Sequence, residues 1–248
     1  PYSNSAFDIV CKNDKVYMII GGKDLLNGKR FDKGGYILTY DYDKWSFIDP
    51  KEAQKKLNLP RNPRDYTSIA VTTDDSNDEI VYASSMGDGV IQYKNGTPVQ
   101  SYNEKNAFKE TAGGYGSGYC YIDGLAFDKN GNLWMTSSEV NHAVLVLDKA
   151  GAWHRLDIEQ LRGVYTINDI LITSTNDKWI YVPRNTPKLV MIPNSESLDE
   201  VSSYEFTTLI DTDGKELTPS NYTCVAEDKD GYIWVGTNRG AVYFTKPR

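Results

Sequence analysis

Three stretches of this chain align on a tryptophan: Ile122 to Trp134, Ile167 to Trp179 and Tyr222 to Trp234. In each, an apolar or aromatic residue stands twelve places before the tryptophan and another nine places before it. The first and third carry the turns Asp128 to Gly131 and Asp228 to Gly231 at matching places. A looser copy runs from Ser68 to Tyr82 with a longer turn at Asp74 to Asp78, and another from Phe7 to Met18 with a shorter one at Asn13 and Asp14. After each anchor come two more strand-like runs, such as Tyr36 to Tyr40 then Lys44 to Phe47, or Val90 to Tyr93 then Thr97 to Val99. A unit of four strands in about 45–60 residues is the size of a propeller blade.

The expected fold is therefore all-β: a β-propeller of about five four-stranded antiparallel blades. The repeats lie at about 5–50, 66–103, 120–157, 165–208 and 220–248, in a single domain over 1–248 excised from a larger multidomain protein. The last blade lacks its fourth strand, so it is incomplete or closed by an N-terminal segment. One such sheet cannot bury both faces, and radial stacking covers each with the next blade's side chains. Tyr17, Tyr82, Trp134, Trp179 and Trp234 are expected to fill one equivalent slot between blades. The glycines of the aspartate turns supply the positive φ that a tight turn needs. Helix is expected only at Lys51 to Leu57, with a single turn near Ile158 to Leu161.

Composition excludes several functions. Lys and Arg number 27 against 34 Asp and Glu, a net charge of −7, and nucleic-acid binding needs a basic surface. Apolar runs reach five residues, as at Val16 to Ile20, whereas a bilayer-spanning helix takes about 20. The chain begins at Pro1 without a signal-like segment, as expected of a mature protein or an excised piece. Cys11, Cys120 and Cys224 are read as small buried strand residues.

Asp228 to Gly240, with the lead-in Leu217 to Asn221, resembles the two-component-regulator propeller repeat of Bacteroidetes-type proteins, which builds periplasmic sensor regions of hybrid histidine kinases. Across almost the whole chain the phrasing is most similar to the propeller region of PorZ-type proteins, cell-surface parts of the type IX secretion machinery. The stretches carrying this are Val16 to Gly22, Met86 to Val90, Ile122 to Trp134, Ala143 to Trp153 and Lys215 to Gly240. The resemblance implies an extracytoplasmic, non-catalytic binding or scaffold module. Its partners would be other domains of the same protein, envelope or secretion proteins, or an anionic glycan or lipopolysaccharide. The alternative it implies is a periplasmic ligand-sensing propeller.

No catalytic, metal or cofactor set emerges. The aspartate turns place glycine fourth, whereas a calcium loop of the EF-hand type needs it sixth with a glutamate twelfth. Gly22 to Arg30 and Gly113 to Gly118 miss the phosphate-loop spacings and read as exposed loops. Gly131 to Trp134 is similar to the blade signature of streptogramin lyases, and Glu139 and His142 follow it. His154 is the only other histidine, too few for an acid–base cluster. Loop length says more. The connections 22–34, 50–65, 103–120 and 209–220 all emerge on one propeller face, while the opposite turns are short. Elaborated loops are where function usually sits. That face carries Lys23, Lys29, Arg30 and Lys33, then Lys51, Lys55, Lys56, Arg61 and Arg64, then Tyr115, Tyr119 and Tyr121. Of these Lys23, Lys29, Arg30, Lys33, Arg61, Arg64 and the three tyrosines form the expected binding face, with cations beside exposed aromatics.

Overall fold

The computed structural model describes residues 5–25, 27–108, 118–199 and 201–245. Strands β1 (Ala6–Lys12), β2 (Lys15–Ile20), β3 (Ile37–Asp41) and β4 (Lys44–Ile48) form the first blade, and helix α1 (Pro50–Leu57) leads out of it. The second blade is β5 (Tyr66–Thr73), β6 (Glu79–Gly87), β7 (Gly89–Lys94) and β8 (Thr97–Tyr102). The third is β9 (Cys120–Phe127), β10 (Leu133–Ser137), β11 (Val144–Leu147) and β12 (Trp153–Leu156). A 3-10 turn at Glu159–Leu161 precedes the fourth, β13 (Ile170–Ile172), β14 (Lys178–Val182), β15 (Lys188–Ile192) and β16 (Tyr204–Phe206). A hairpin of β17 (Leu209–Ile210) and β18 (Glu216–Leu217) then leads to β19 (Tyr222–Glu227), β20 (Ile233–Thr237) and β21 (Gly240–Phe244). Each sheet is an antiparallel meander in chain order, the last with three strands among the described residues. A short ladder, Met86 to Tyr121 and Gly87 to Cys120, fuses the second and third sheets at one end.

Strand register confirms the repeat. Tyr17, Tyr82, Trp134, Trp179 and Trp234 pair across the ladder with Val10, Ala70, Ala126, Leu171 and Ala226, one equivalent position per blade. The small or aliphatic partner leaves room for each ring. Asp128 explains the turn before the tryptophan. Its Oδ1 accepts from the amides of Asn130 (2.9 Å) and Asn132 (2.8 Å), and its Oδ2 from Trp134 Nε1 (2.9 Å). Asp228 repeats all three bonds with Asp230, Tyr232 and Trp234. The aspartate thus caps the turn and satisfies the indole six residues on, while Gly131 and Gly231 take φ of 84° and 82°. Thr173 holds this position in the fourth blade, and Trp179 Nε1 has no partner among the described residues. Asp128→Ala strands a buried indole N–H and uncaps a turn, so it is expected to cost about 2–3 kcal/mol. Asp228→Ala, at a more exposed turn, should cost under about 1 kcal/mol in urea unfolding, and equal losses would contradict this account.

The core lies between blades. Tyr17, Ile19 and Ile37 pack on Ile69, Val71, Val81 and Ile91. Ala70, Ile80, Tyr82 and Val90 pack on Leu125, Leu133, Met135 and Leu145. Trp134, Val144 and Val146 pack on Ile170, Ile180, Val182 and Val190, and Trp179, Tyr181, Leu189 and Met191 on Tyr222, Ile233 and Val235. Four of the five anchors are buried as expected. Trp234 is not: it is 40% exposed against 1% for Trp134 and 0% for Trp179, because no described blade covers its side. The same reason corrects the cysteines. Cys120 is buried between blades, but Cys11 and Cys224 lie on the outer faces of the end blades and are exposed.

α1 begins with Pro50 behind the cap Asp49, whose side chain accepts from Lys51 N at 2.9 Å, and stops at Asn58 in the left-handed region. It packs Ala53 and Leu57 onto the first inter-blade core and lies against β8. No described helix is long and apolar enough to cross a membrane.

Candidate functional site

The β2–β3 loop of the first blade crosses the elaborated face and is tied down at both ends. Asp65, fully buried at the head of β5, accepts from the amides of Asp32 (3.1 Å) and Lys33 (3.0 Å) and from Arg30 Nε (3.0 Å). Farther along, Lys23 reaches across the axis. Its ammonium, 2% exposed, pairs with Asp123 of the third blade, lies 3.3 Å from the carbonyl of Ile167, and sits 5.0 Å from the Tyr121 ring centroid. Asp123 also accepts from Ser138 Oγ (2.6 Å), which in turn accepts from Ile167 N (2.8 Å). Arg184 of the fourth blade donates to Leu25 O (2.6 Å) and to Thr166 Oγ1 (3.3 Å). The loop of the first blade therefore braces blades two, three and four.

The carboxylates near the axis feel that enclosure. Burial raises the pKa of Asp123, opposed by the Lys23 charge and the Ser138 bond. Burial likewise raises Asp8, whose Oδ2 accepts from Ile69 N at 3.1 Å. Asp169 is exposed to solvent, but the protein atoms crowded around it and the Asp8 charge push its pKa up to about 7.

Four of the six expected binding-face cations are ion-paired, Lys23 and Arg30 within the fold and Arg61 and Arg64 while half exposed. Lys23 is buried in its ion pair and cannot meet a ligand. Arg30 serves Asp65, Arg61 pairs with Asp88 at 2.7 Å, and Arg64 lies 3.7 Å from Asp32. Lys29 and Lys33 are exposed, the latter 5.5 Å from the Phe31 ring centroid. Tyr119 and Tyr121 are buried rather than exposed, in a small cluster with Met86. Tyr119 fills the space beside Gly87, where a Cβ would come within 2.7 Å of its ring. Burial pushes its pKa up to about 12, so the hydroxyl stays protonated. Tyr115 and Gly113 to Ser117 lie outside the described residues.

Two concavities open on this face. One, of about 330 Å³, is lined by Leu59, Pro60, Arg61, Asp88, Asn103, Glu104, Lys105 and Tyr119. The other, about 690 Å³ and more open, is lined by Gln160, Arg162, Tyr165, Asn185, Thr186, Lys188 and Glu205. In it Tyr165 is half exposed, Arg162 pairs with Asp157 and Lys188 pairs with Glu205. Loop length did not point to this second cleft, because the loop between β14 and β15 is short. The signal available was Tyr165 followed by the Asn185 and Thr186 turn. Both clefts mix amides, hydroxyls and paired charges around a tyrosine, a lining suited to a polar ligand with many hydroxyls.

Among the described residues no group of three or more His, Cys, Asp or Glu side chains is placed to hold a metal. His154 faces Asp148 at 3.0 Å in the β11–β12 turn, whereas His142 lies in the β10–β11 loop on the opposite propeller face.

Residues 216–239 match the family model described as two component regulator propeller. No curated protein sequence matches the chain. The fold is similar to that of PorZ from Porphyromonas gingivalis, described as an essential bacterial surface component of the type-IX secretion system. The identity is 19% and the TM-score 0.83, over 98% of this chain and 33% of that one. The chain thus spans a third of PorZ's length. It is also similar, at 12% identity and a TM-score of 0.60 over 97% of this chain and 27% of that one, to the extracellular domain of the hybrid two component system protein BT4673 from B. thetaiotaomicron. A structure named for 6-phosphogluconolactonase, from Bacteroides uniformis, aligns at 12% identity and a TM-score of 0.55, over 95% of this chain and 66% of that one. At these identities the likenesses establish the architecture: a β-propeller that carries a two-component-regulator propeller repeat in its last blade and resembles PorZ and extracellular sensor domains.

Proposed function

We propose that this propeller is a non-catalytic binding module outside the cytoplasm, acting in a PorZ-type envelope or secretion component. The observation that carries this reading is the braced loop face. Ion pairs of Lys23, Arg30, Arg61 and Arg64 hold its loops in place, leaving two preformed clefts lined for hydrogen bonding. Preorganised loops lower the ordering cost of binding. The same pairing shifts the ligand expectation. A strongly anionic partner would meet scattered exposed cations, Lys29 and Lys33 on the first loop, Lys51, Lys55 and Lys56 on α1 and Lys105 by the smaller cleft, rather than one basic pocket, so a glycan held through its hydroxyls, or a polar protein surface, fits better than a polyanion.

A binding screen of glycans, lipopolysaccharide and envelope proteins against this domain tests the proposal. The expected result is a saturable ligand whose affinity falls by about tenfold or more on Tyr165→Ala or Lys105→Glu, with unchanged thermal unfolding. A screen without any saturable ligand, or a ligand indifferent to both changes and to Lys29→Glu with Lys33→Glu, would overturn it. The match of residues 216–239 favours a second reading, the ligand-sensing region of a hybrid two-component protein. A transmembrane helix and kinase domain in the same polypeptide would select that reading over the secretion role.

A further inference from the structure

The two clefts of the loop face differ in how far their polar groups are already engaged within the fold. In the smaller one they bond to their neighbours. The Asn103 amide donates to Ser101 Oγ (3.3 Å) and accepts from Lys105 N (3.0 Å), and Asp88 accepts from Arg61 Nε (2.8 Å) and Arg64 N (3.1 Å). The larger cleft is different. Glu159, Asn185 and Thr186 are exposed in its wall, and their side chains make no hydrogen bond or ion pair among the described residues. Ser203 Oγ donates to Gln160 Oε1 (2.9 Å), which leaves the Gln160 amide nitrogen open. The half-exposed Tyr165 supplies the aromatic surface, and the chain on both sides of it is fixed. Before it, Glu139 N donates to Val164 O (2.8 Å); after it, Arg184 Nη2 donates to Thr166 Oγ1 (3.3 Å) and Ile167 N to Ser138 Oγ (2.8 Å). A ring held on rigid backbone needs little further ordering to bind. The cations of the cleft, Arg162 and Lys188, are engaged with Asp157 and Glu205, each at 2.5 Å. Glu159 is thus the one lining charge without an ion pair among the described residues.

Resting on the reading of this domain as a binding module, we propose that the larger cleft, between blades three and four, is its ligand seat and that the ligand is a neutral oligosaccharide. A pyranose presents a face of C–H bonds bordered by hydroxyls. The C–H face lies on the Tyr165 ring, whose π face is electron-rich. Glu159 accepts from the hydroxyls as a charged acceptor, the stronger class of hydrogen bond. Asn185, Thr186 and the Gln160 nitrogen offer the donors and further acceptors that a polyhydroxylated ligand needs. The cleft volume of about 690 Å³ lies within the roughly 300–1,000 Å³ of small-ligand sites. Two other ligand classes fit the lining less well. A uronate or sulfated sugar brings its charge to the Glu159 carboxylate, while both lining cations are already engaged. A peptide needs apolar side-chain pockets or an open strand edge, and Val164 is the lone aliphatic side chain among the described lining residues.

Isothermal titration calorimetry of the 248-residue chain tests this, with short neutral gluco-, manno- and galacto-oligosaccharides set against oligogalacturonate and heparin-derived oligosaccharides. The expected result is saturable binding of at least one neutral probe, weakened about tenfold or more by Tyr165→Ala. Glu159→Gln, at an exposed side chain, should weaken it about threefold or more. Tyr165→Phe keeps the stacking surface and should stay within about threefold of the unaltered chain, and Lys105→Glu in the smaller cleft should change nothing. Unchanged thermal unfolding of the variants ties the losses to the cleft. Preference for the uronate or sulfated probes would overturn the proposal, as would neutral-probe binding lost on Lys105→Glu but kept in Tyr165→Ala; either result leaves a binding module with another seat. If no saccharide binds but an envelope protein does, the proposal fails and the binding-module reading stands. If neither binds, both fail.

Discussion

Trp134→Ala and Trp179→Ala are each expected to destabilise the chain by about 3–5 kcal/mol, while Trp234→Ala loses only about 1–2 kcal/mol. The three residues are equivalent in the repeat and in the ladder register. They differ in cover. Trp134 lies beneath the aliphatic face of the fourth blade, with Lys178 Nζ 4.4 Å from its ring centroid. Trp179 stacks on Phe206 of its own blade at 5.7 Å and meets the tilted ring of Phe244 of the fifth at 5.2 Å. Truncating either leaves a cavity between two sheets that cannot collapse together, because each is fixed by its neighbours. Around Trp234 water already reaches the ring, so little cavity forms. Urea unfolding of the three variants measures this, and similar losses at all three sites would show that inter-blade burial does not set the energetics.

Lys23→Ala is expected to cost about 3–5 kcal/mol, because it strands the buried Asp123 carboxylate without its partner charge. Lys23→Met combined with Asp123→Asn should recover at least half of that loss, since no buried charge remains and the Ser138 bond is kept. The pH dependence has a definite sign. In the single variant the folded-state pKa of Asp123, already raised by burial, moves further above its unfolded value. Folded protein then binds the proton more tightly than unfolded protein, so the deficit is greatest at high pH and shrinks as pH falls through the raised pKa. Unfolding free energies at pH 8 and pH 5 test both points. A deficit that grows on acidification, or a double variant less stable than the single, would refute the buried-pair account.

These two sites mark how far the residues could be read without coordinates. The blade repeat was legible because burial between sheets imposes a period of its own: an apolar pair, an aspartate or asparagine turn, and a ring at fixed spacing. Asp128 and Asp228 made the turns recognisable, and the run Lys51 to Leu57 marked α1. The loop face was legible by length alone. Its chemistry was not, because a lysine in a loop looks the same whether it faces water or a carboxylate a hundred residues away. Lys23 reads as a surface cation until the fold brings Asp123 to it. Tyr119 and Tyr121 look like an exposed aromatic pair until the fused sheets of blades two and three enclose them.

By itself the order of residues determined the architecture: antiparallel four-stranded units and the ring that each would wedge against a neighbour. That information is local, since strand period and turn geometry are set within about a dozen residues. Tertiary structure alone decided which members of the repeat have a neighbour, leaving Trp234, Cys11 and Cys224 open, and which cations are consumed in bracing loops. Those outcomes depend on contacts between residues far apart in the chain, where charge and burial are settled by whatever the fold places opposite.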